Sequence, residues 1–443
     1  MAKDVKMSYI ESDIEKIQIK TNLFIQEYDE AGAFHLAREI IQNSIDEIND
    51  VNSDGNDIYI SYDISTDIMT CEDFGRGIPE VDYPLDIFCT KLQSGSKFDR
   101  SQSGASSGEF GLGLTAVNAL SDIFNITSYR EEEKIAHELN FELGVKVKDK
   151  ISKQPKGNII HGTKVSFRAS KKFLGPNTKL PYKKVIKWLD TLMYFHMENK
   201  KIKIKFDVFD GTKLKDTYKF KLKNFSDLLD AVIPEKVSPK LTIVDDKIIE
   251  EDFHGKRVKK NIHLDIALTY QNDSNTYYDS YCNFTHTTLG GVHVDTFDKI
   301  FCNYMQNKVK ATMTDKQKEK TPITWDDVRS GLTCIINIST NASVRFEGNM
   351  KEKIGGNTLV EPLAEMITTN LEKFFSINTQ VFNQYANIIK LNAKARIESQ
   401  AIKTAVKTEK MSNLSEHSME NFTPCTNTGK QWKEIDNKCL PIQ

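Results

Sequence analysis

The sequence predicts two successive α+β units followed by a long helix, and three observations carry that prediction. Residues 31–49, AGAFHLAREIIQNSIDEIN, repeat their apolar positions with helical period, and short β-like runs follow them. Near residue 170 the lysine density rises and helix and strand signals begin again, which marks a domain boundary. From about 358 to 410 the chain reads as long helix that loses apolar content toward its end.

The elements follow in order. In the first helix Leu36, Ile40, Ile41, Ile45 and Ile48 make an apolar face, while His35, Glu39, Asn43 and Glu47 recur every fourth residue. IYISYDI (58–64) and IMTCED (68–73) read as strands around a polar turn, and FGRGIP then breaks any regular element. Residues 94–113 are rich in Gly and Ser, and LTAVNAL after them reads as helix. Strand-like runs at 123–129, 134–143 and 163–169 complete the first unit, 1–170. The second, 171–360, holds strands around 201–208 and 261–270, a helix near 294–306 and a β-run at 332–338. The helical leg spans 361–410, and the polar tail 411–443, with Pro424 and Pro441, reads as loose.

Bulk properties exclude several classes. A chain of 443 residues suits two or three domains, and 39% hydrophobic with 28% charged residues is a globular composition. No stretch approaches the roughly 20 apolar residues that span a bilayer, and the charged N-terminus lacks a secretory h-region. Seven scattered cysteines, with no C-x-x-C, disfavour a zinc site or disulfide framework and suggest reduced thiols in a cytoplasm-like compartment. Lysines gather at 183–187, 199–206 and 256–260, a pattern of solvated faces more often than of DNA contact. Heavy use of Lys, Asn and Ile fits an AT-rich genome such as a viral one, which would make the compartment a host cytoplasm.

Four segments hold candidate chemistry. On the first helix, His35, Glu39 and Asn43 share one stripe. That stripe is either a solvated face or a water-polarising carboxylate (Glu39), a His that holds it, and an amide oxygen for Mg²⁺, which needs few protein ligands. Asp73, with Gly75 and Gly77, is either a plain turn or a carboxylate that accepts the exocyclic amine of adenine. S-S-G-E-F-G-L-G (106–113) opening a helix is either a linker or a set of free backbone N–H groups for phosphate. It is neither a Walker loop nor a dinucleotide fingerprint. Thr163, after His161 and Gly162, stands where a strand begins and its hydroxyl can reach a base or bridging water.

E-x-x-x-N, D-x-G-x-G, G-x-x-G-x-G and G-T, in that order, resemble the nucleotide boxes of the GHKL ATPases, which include gyrase B-type proteins, Hsp90, mismatch-repair ATPases and histidine kinases. Within that superfamily the chain resembles the B subunits of DNA gyrase and topoisomerase IV. The segments concerned are IEKIQIKTNLFI (14–25), REIIQNSIDE (38–47), SGSKFD (94–99), AVNALS (116–121), NFTHTTLGGVHVDTF (283–297), DDVRSGLTCIINI (326–338) and FEGNMKEKIG (346–355). The resemblance covers roughly residues 14–410.

It implies a Bergerat-type ATPase fold followed by a transducer with a β-α-β core and a long C-terminal helix. It implies Glu39 as general base positioned by His35, Asn43 as the Mg²⁺ ligand, and Asp73 assisted by Thr163 at adenine. Lys97, Gly108, Gly111 and Gly113 would surround the phosphates, Gly75, Gly77, Ile78, Leu112 and Asn349 would join the ATP-binding set, and Lys351 would reach the γ-phosphate from the second domain. ATP and Mg²⁺ are the implied ligands. A homodimer formed on ATP binding, DNA, and a DNA-cleavage (TOPRIM) subunit or domain are the implied partners, with no membrane. No TOPRIM-like acidic pattern is found, so cleavage is expected to belong to another subunit or segment. The chain departs from the family pattern at Thr21-Asn22, Phe24, Ser103, Gly104, Phe110 and Asn349-Met350. Rival readings are a mismatch-repair-type ATPase switch and a nucleotide-binding adaptor that does not hydrolyse; retained Glu39 argues against the adaptor.

Overall fold

The computed structural model describes residues 12–419 except 26, 51, 54, 79–83, 93–110, 131–133, 155–160, 234–235, 254 and 348–350. The described residues fall into two compact units: those up to 305 with 329–385, and 306–328 with those from 386 onward.

The larger unit begins with α1 (Asp13–Ile19), capped by Ser12, and a 3₁₀ turn (Thr21–Leu23). Gln18 ties α1 down by donating to the carbonyls of Ala119 and Leu143, at 2.9 Å each. Thr21, one of the departures, is buried and returns its hydroxyl to the carbonyls of Ile17 and Gln18. Then come α2 (Glu30–Asn49), β1 (Asp57–Asp63), β2 (Ile68–Asp73), α3 (Leu85–Thr90) and α4 (Gly113–Ala119). β3 (Ser121–Arg130), β4 (Ile135–Glu142), β5 (Val145–Lys153) and β6 (Gly162–Ala169) follow. After them come α5 (Lys171–Leu174), α6 (Tyr182–Leu192), β7 (Lys203–Asp210) and β8 (Lys213–Phe220).

These strands form one sheet in the order β5-β4-β3-β6-β2-β1-β7-β8, antiparallel except where β1 lies parallel to β7. Burial alternates along β1, β2, β3 and β6, so one face is apolar. Helices α2 and α4 cover that face. All five apolar positions expected on α2 are buried there. The edge strand β5 went unpredicted because Val145, Val147 and Ile151 are exposed and alternate with charged residues.

The strand expected around 201–208 is present, but it does not belong with the second-domain strands. Ile204, Phe206 and Val208 point into the first core, and β7 pairs in register with β1 from Asp57↔Lys203 to Asp63↔Phe209. The first sheet therefore runs on to Phe220, past the boundary expected near residue 170. Alternating lysines mark the open face of a strand and carry no information about its neighbour.

After α7 (Phe225–Val232) a second sheet follows, in the order β12-β11-β13-β10-β9. It is built from β9 (Leu241–Phe253), β10 (Lys256–Tyr270), β11 (Tyr277–Cys282), β12 (Thr285–His286) and, beyond α8 (Val292–Ala311), α9 (Asp315–Lys320) and α10 (Trp325–Arg329), β13 (Leu332–Thr340). Helix α7 packs on β10. β11 and β13 are parallel neighbours joined through α8, which is the expected β-α-β core. All nine residues of β13 are buried, as an apolar strand covered on both faces should be.

The leg expected over 361–410 is two helices, α11 (Val360–Ile377) and α12 (Thr379–Met419), separated at Asn378. Helix α12 has no Gly or Pro and runs past the expected end at 410 into the tail. Within the smaller unit, Arg396 makes a two-pronged contact to Asp327, Nε to Oδ1 at 2.8 Å and Nη2 to Oδ2 at 3.0 Å. Asn392 donates to the Asp327 carbonyl and Lys390 to Thr312. Among the described residues, no helix is long and apolar enough to cross a membrane.

Candidate functional site

Helix α2 starts cleanly because Asp29 accepts from the Ala31 N–H, and its apolar face then fixes the rotation of the whole helix on the sheet. That rotation leaves His35, Glu39, Asn43 and Glu47 half-buried on the other side. The His35 Nε2 lies 3.8 Å from the Glu39 Oε1, a loose contact between successive turns. Burial pushes the His35 pKa below its ordinary value, opposed by Glu39 and reinforced by the charges of Arg38 and Lys351. The imidazole is therefore neutral near pH 7. Lys351 comes from the loop after β13 and has φ 56°, yet its charge is felt at His35, so the fold brings the two regions together.

Gly113 begins α4 against the same carboxylate. A Cβ there would stand 2.0 Å from the Glu39 Oε2, so a larger residue would push this carboxylate out of its present place. Gly111 and Leu112 lead directly into that turn. Asn43 makes no hydrogen bond among the described residues, and no group of three or more His, Cys, Asp or Glu there could hold a metal. A cation at this place would need ligand oxygens and water beside the free Asn43 carbonyl, which suits Mg²⁺.

Asp73 ends β2 and is 4% exposed. Its Oδ1 accepts from the backbone N–H groups of Gly75 and Thr163, each at 3.1 Å, and its Oδ2 accepts from the Ser44 hydroxyl at 3.0 Å. Burial raises its pKa to about 7 against the pull of those hydrogen bonds, and Glu47 adds to the rise. Thr163 stands opposite Asp73 in the β2–β6 ladder. Gly162, at φ 120°, allows this: a Cβ there would lie 1.9 Å from the Asp73 carbonyl oxygen. Gly77 and Ile78 follow, and the Ile78 N–H donates to the Ser128 hydroxyl at 2.9 Å.

The structure thus gathers His35, Glu39 and Asn43 along the middle turns of α2 with Gly113 against Glu39, and Asp73, Gly75, Gly77, Ile78 and Thr163 at the adjoining strand ends. Lys97, Gly108 and Asn349 lie outside the described residues, as do Ser103, Gly104, Phe110 and Met350.

Sequence reasoning missed several neighbours. Arg76 clamps Glu47 through Nε and Nη2, both at 2.9 Å, and its N–H donates to the same carboxylate at 2.8 Å. Arg76 sits between the two glycines of its box and Glu47 on the fourfold stripe, so a pairing across the loop was within reach of the pattern. The His161 Nδ1 lies 2.6 Å from the Gly75 carbonyl, and Ser44 holds Asp73. Nothing in the periodicity of α2 singles out Ser44, because it lies on the buried side.

Residues 28–171 match the family described as histidine kinase-, DNA gyrase B-, and HSP90-like ATPase, and residues 224–405 match the family described as DNA gyrase B. The chain is similar to the DNA gyrase B subunits of two mycoplasmas: that of Mycoplasma genitalium, 28% identical over 400 residues, and that of Mycoplasma pneumoniae, 30% identical over 401. Each alignment covers 87% of this chain, and the chain spans only 59% of the length of either relative. Among solved structures it resembles the topoisomerase IV ATP-binding domain of Francisella tularensis in complex with a small-molecule inhibitor. That match has TM-score 0.63 and 20% identity over 87% of this chain and 98% of the other, a likeness of fold.

Proposed function

We propose that this chain, a histidine kinase-, DNA gyrase B- and HSP90-like ATPase domain followed by a DNA gyrase B-type transducer domain, is the ATP-operated clamp of a type II DNA topoisomerase. The observation that carries the reading is the juxtaposition of Glu39, the neutral His35 and the charge of Lys351, which comes from beyond the last strand of the second sheet.

In this reading the Asp73 Oδ2, which accepts one protein hydrogen bond, accepts the exocyclic amine of adenine. Glu39 takes the proton from the attacking water. A neutral His35 can hold that carboxylate with an N–H without neutralising it, as a base requires. Mg²⁺ offsets phosphate charge when bound, and Asn43 would hold it. Lys351 meets the γ-phosphate, so hydrolysis removes the one part of the ligand that ties it to the ATPase domain. That is a switch of the kind nucleotide-driven machines use. ATP binding would pair two copies around a DNA segment, and a separate subunit or segment would cut the DNA.

Steady-state ATP hydrolysis over a series of protein concentrations tests this, with Glu39→Ala and Lys351→Ala alongside. A rate that rises faster than linearly and is lost in both variants supports the dimerising clamp. Linear or mutation-insensitive turnover refutes it.

A further inference from the structure

Beneath Asp73 lies a relay that none of the nucleotide boxes contains. The buried Cys71 donates its S–H to the Ser44 Oγ at 3.4 Å, and Ser44 donates its O–H to the Asp73 Oδ2 at 3.0 Å. On the other side, Oδ1 is already occupied by the N–H groups of Gly75 and Thr163. Among the described residues Oδ2 accepts one hydrogen bond, from Ser44, and so is the oxygen with room for a ligand.

The direction of this relay follows from chemistry. Burial pushes the Cys71 thiol up to about 12, so it stays protonated and remains a donor. An ionised carboxylate only accepts, so Ser44 is the hydrogen-bond donor to Asp73. Protonation of Asp73 would reverse the polarity: Oδ1 faces two N–H donors, so the proton goes to Oδ2, and that atom becomes a donor. A carboxylate at Oδ2 suits a 6-amino purine, whose exocyclic nitrogen donates. A carboxylic acid there suits a 6-oxo purine, whose exocyclic oxygen accepts.

We propose that Ser44 is the specificity-determining positioning residue of this site: its hydroxyl holds Asp73 in the accepting state and so selects 6-amino over 6-oxo purine nucleotides. This rests on the reading of Asp73 as the base-binding group. The other charged and titratable groups around Asp73 are Glu47 of α2, clamped by Arg76, and Glu72 of β2, 3.6 Å from Lys164 of β6. Among the described residues His161 also lies close, its ring meeting the Gly75 carbonyl. Glu47 opposes the ionised state of Asp73, as burial does, whereas Ser44 favours it together with the two backbone donors.

The test is calorimetric binding of the β,γ-imido triphosphates of adenosine and inosine to the full chain between pH 5.5 and 8.5. Wild type, Ser44→Ala, Ser44→Thr and Asp73→Asn are compared. In wild type the preference for the adenine nucleotide should shrink as pH falls through about 7. Ser44→Ala should lower that preference at pH 7 by about tenfold, the worth of a hydrogen bond to a charged group, and move its midpoint to higher pH. Ser44→Thr, which keeps the hydroxyl, should restore both.

Equal weakening of the two nucleotides by Ser44→Ala at every pH, or an unchanged ratio, overturns the inference. If Ser44→Ala does not fold, the wild-type series decides, because a preference that does not vary with pH overturns it as well. Should Asp73→Asn bind the adenine nucleotide as wild type does, the placement of the base fails. If Asp73→Asn loses that nucleotide while Ser44→Ala keeps the ratio, only the role of Ser44 fails.

Discussion

Replacing Asp73 by Asn should stabilise the free protein while weakening its hold on nucleotide. Burial raises this carboxyl from its ordinary 3.8 to about 7, so the folded state binds a proton that the unfolded chain releases. The sign is the reverse of the usual acidic residue. Stability falls as pH rises from about 4 to about 7, because there the unfolded state holds fewer protons. A shift of this size corresponds to about 4 kcal/mol once the group is fully ionised. An asparagine keeps the two backbone donors on its carbonyl oxygen and never ionises, but its amide turns a donor toward Ser44, a loss of about 1 kcal/mol.

The stability difference between variant and wild type should therefore grow by about 4 kcal/mol between pH 4 and pH 8. The net gain at pH 8 should be about 3 kcal/mol. Trp188, edge-on to Phe34 on α2 with ring centroids 6.1 Å apart, can report unfolding of this layer. The assay is urea unfolding followed by its fluorescence, in a background with Trp325→Phe and Trp432→Phe. Adenine-nucleotide affinity should meanwhile fall about tenfold to a hundredfold, since a charge-assisted acceptor is lost. A stability difference that stays flat across that pH range would refute the account of a strained, buried carboxylate kept for function.

Other sites make separate demands. Glu39→Gln should lower turnover by about 10²-fold or more while nucleotide affinity in binding assays changes little; equal turnover would remove Glu39 as the base. Gly162→Ala forces a Cβ to 1.9 Å from the Asp73 carbonyl at φ 120°, so it should lower the melting temperature by several degrees, and an unchanged melting curve would contradict the close β2–β6 approach. His293 is buried, and burial alone lowers its pKa to about 3. The unfolded chain takes up a proton below about 6.5 that the folded chain refuses, so this ring should subtract about 2 kcal/mol from the stability of wild type relative to His293→Gln between pH 7 and pH 5, whatever Asp73 adds over the same range. His293→Gln should lack that loss, and identical pH profiles of unfolding would count against the neutral, buried ring. In the smaller unit, Arg396→Ala leaves the buried Asp327 without its guanidinium and should destabilise that unit by about 3 kcal/mol, read by protease sensitivity of residues 306–328.

The sequence by itself determined the principal elements and the order of the chemistry, though not the edge strand β5 or the break at Asn378. The apolar face of α2 fixed which residues would be buried and so which stripe, His35, Glu39, Asn43 and Glu47, would be left for a ligand. The β-α-β core came from the family resemblance; the sequence alone offered only a β-run at 332–338 downstream of a helical segment. Box spacing then linked Asp73, the glycines and Thr163 to the helix. The tertiary structure alone decided partners. β1 and β7 pair residues 146 apart in the chain (Asp57 with Lys203), and alternation states which face of a strand is buried but not which strand lies beside it. Asp73 has its own example of this limit. Ser44 looked like one more buried helix position until the fold set its hydroxyl 3.0 Å from the Asp73 carboxylate. Local periodicity records each residue's exposure, whereas hydrogen bonds between distant segments depend on distances that arise only when the layers close.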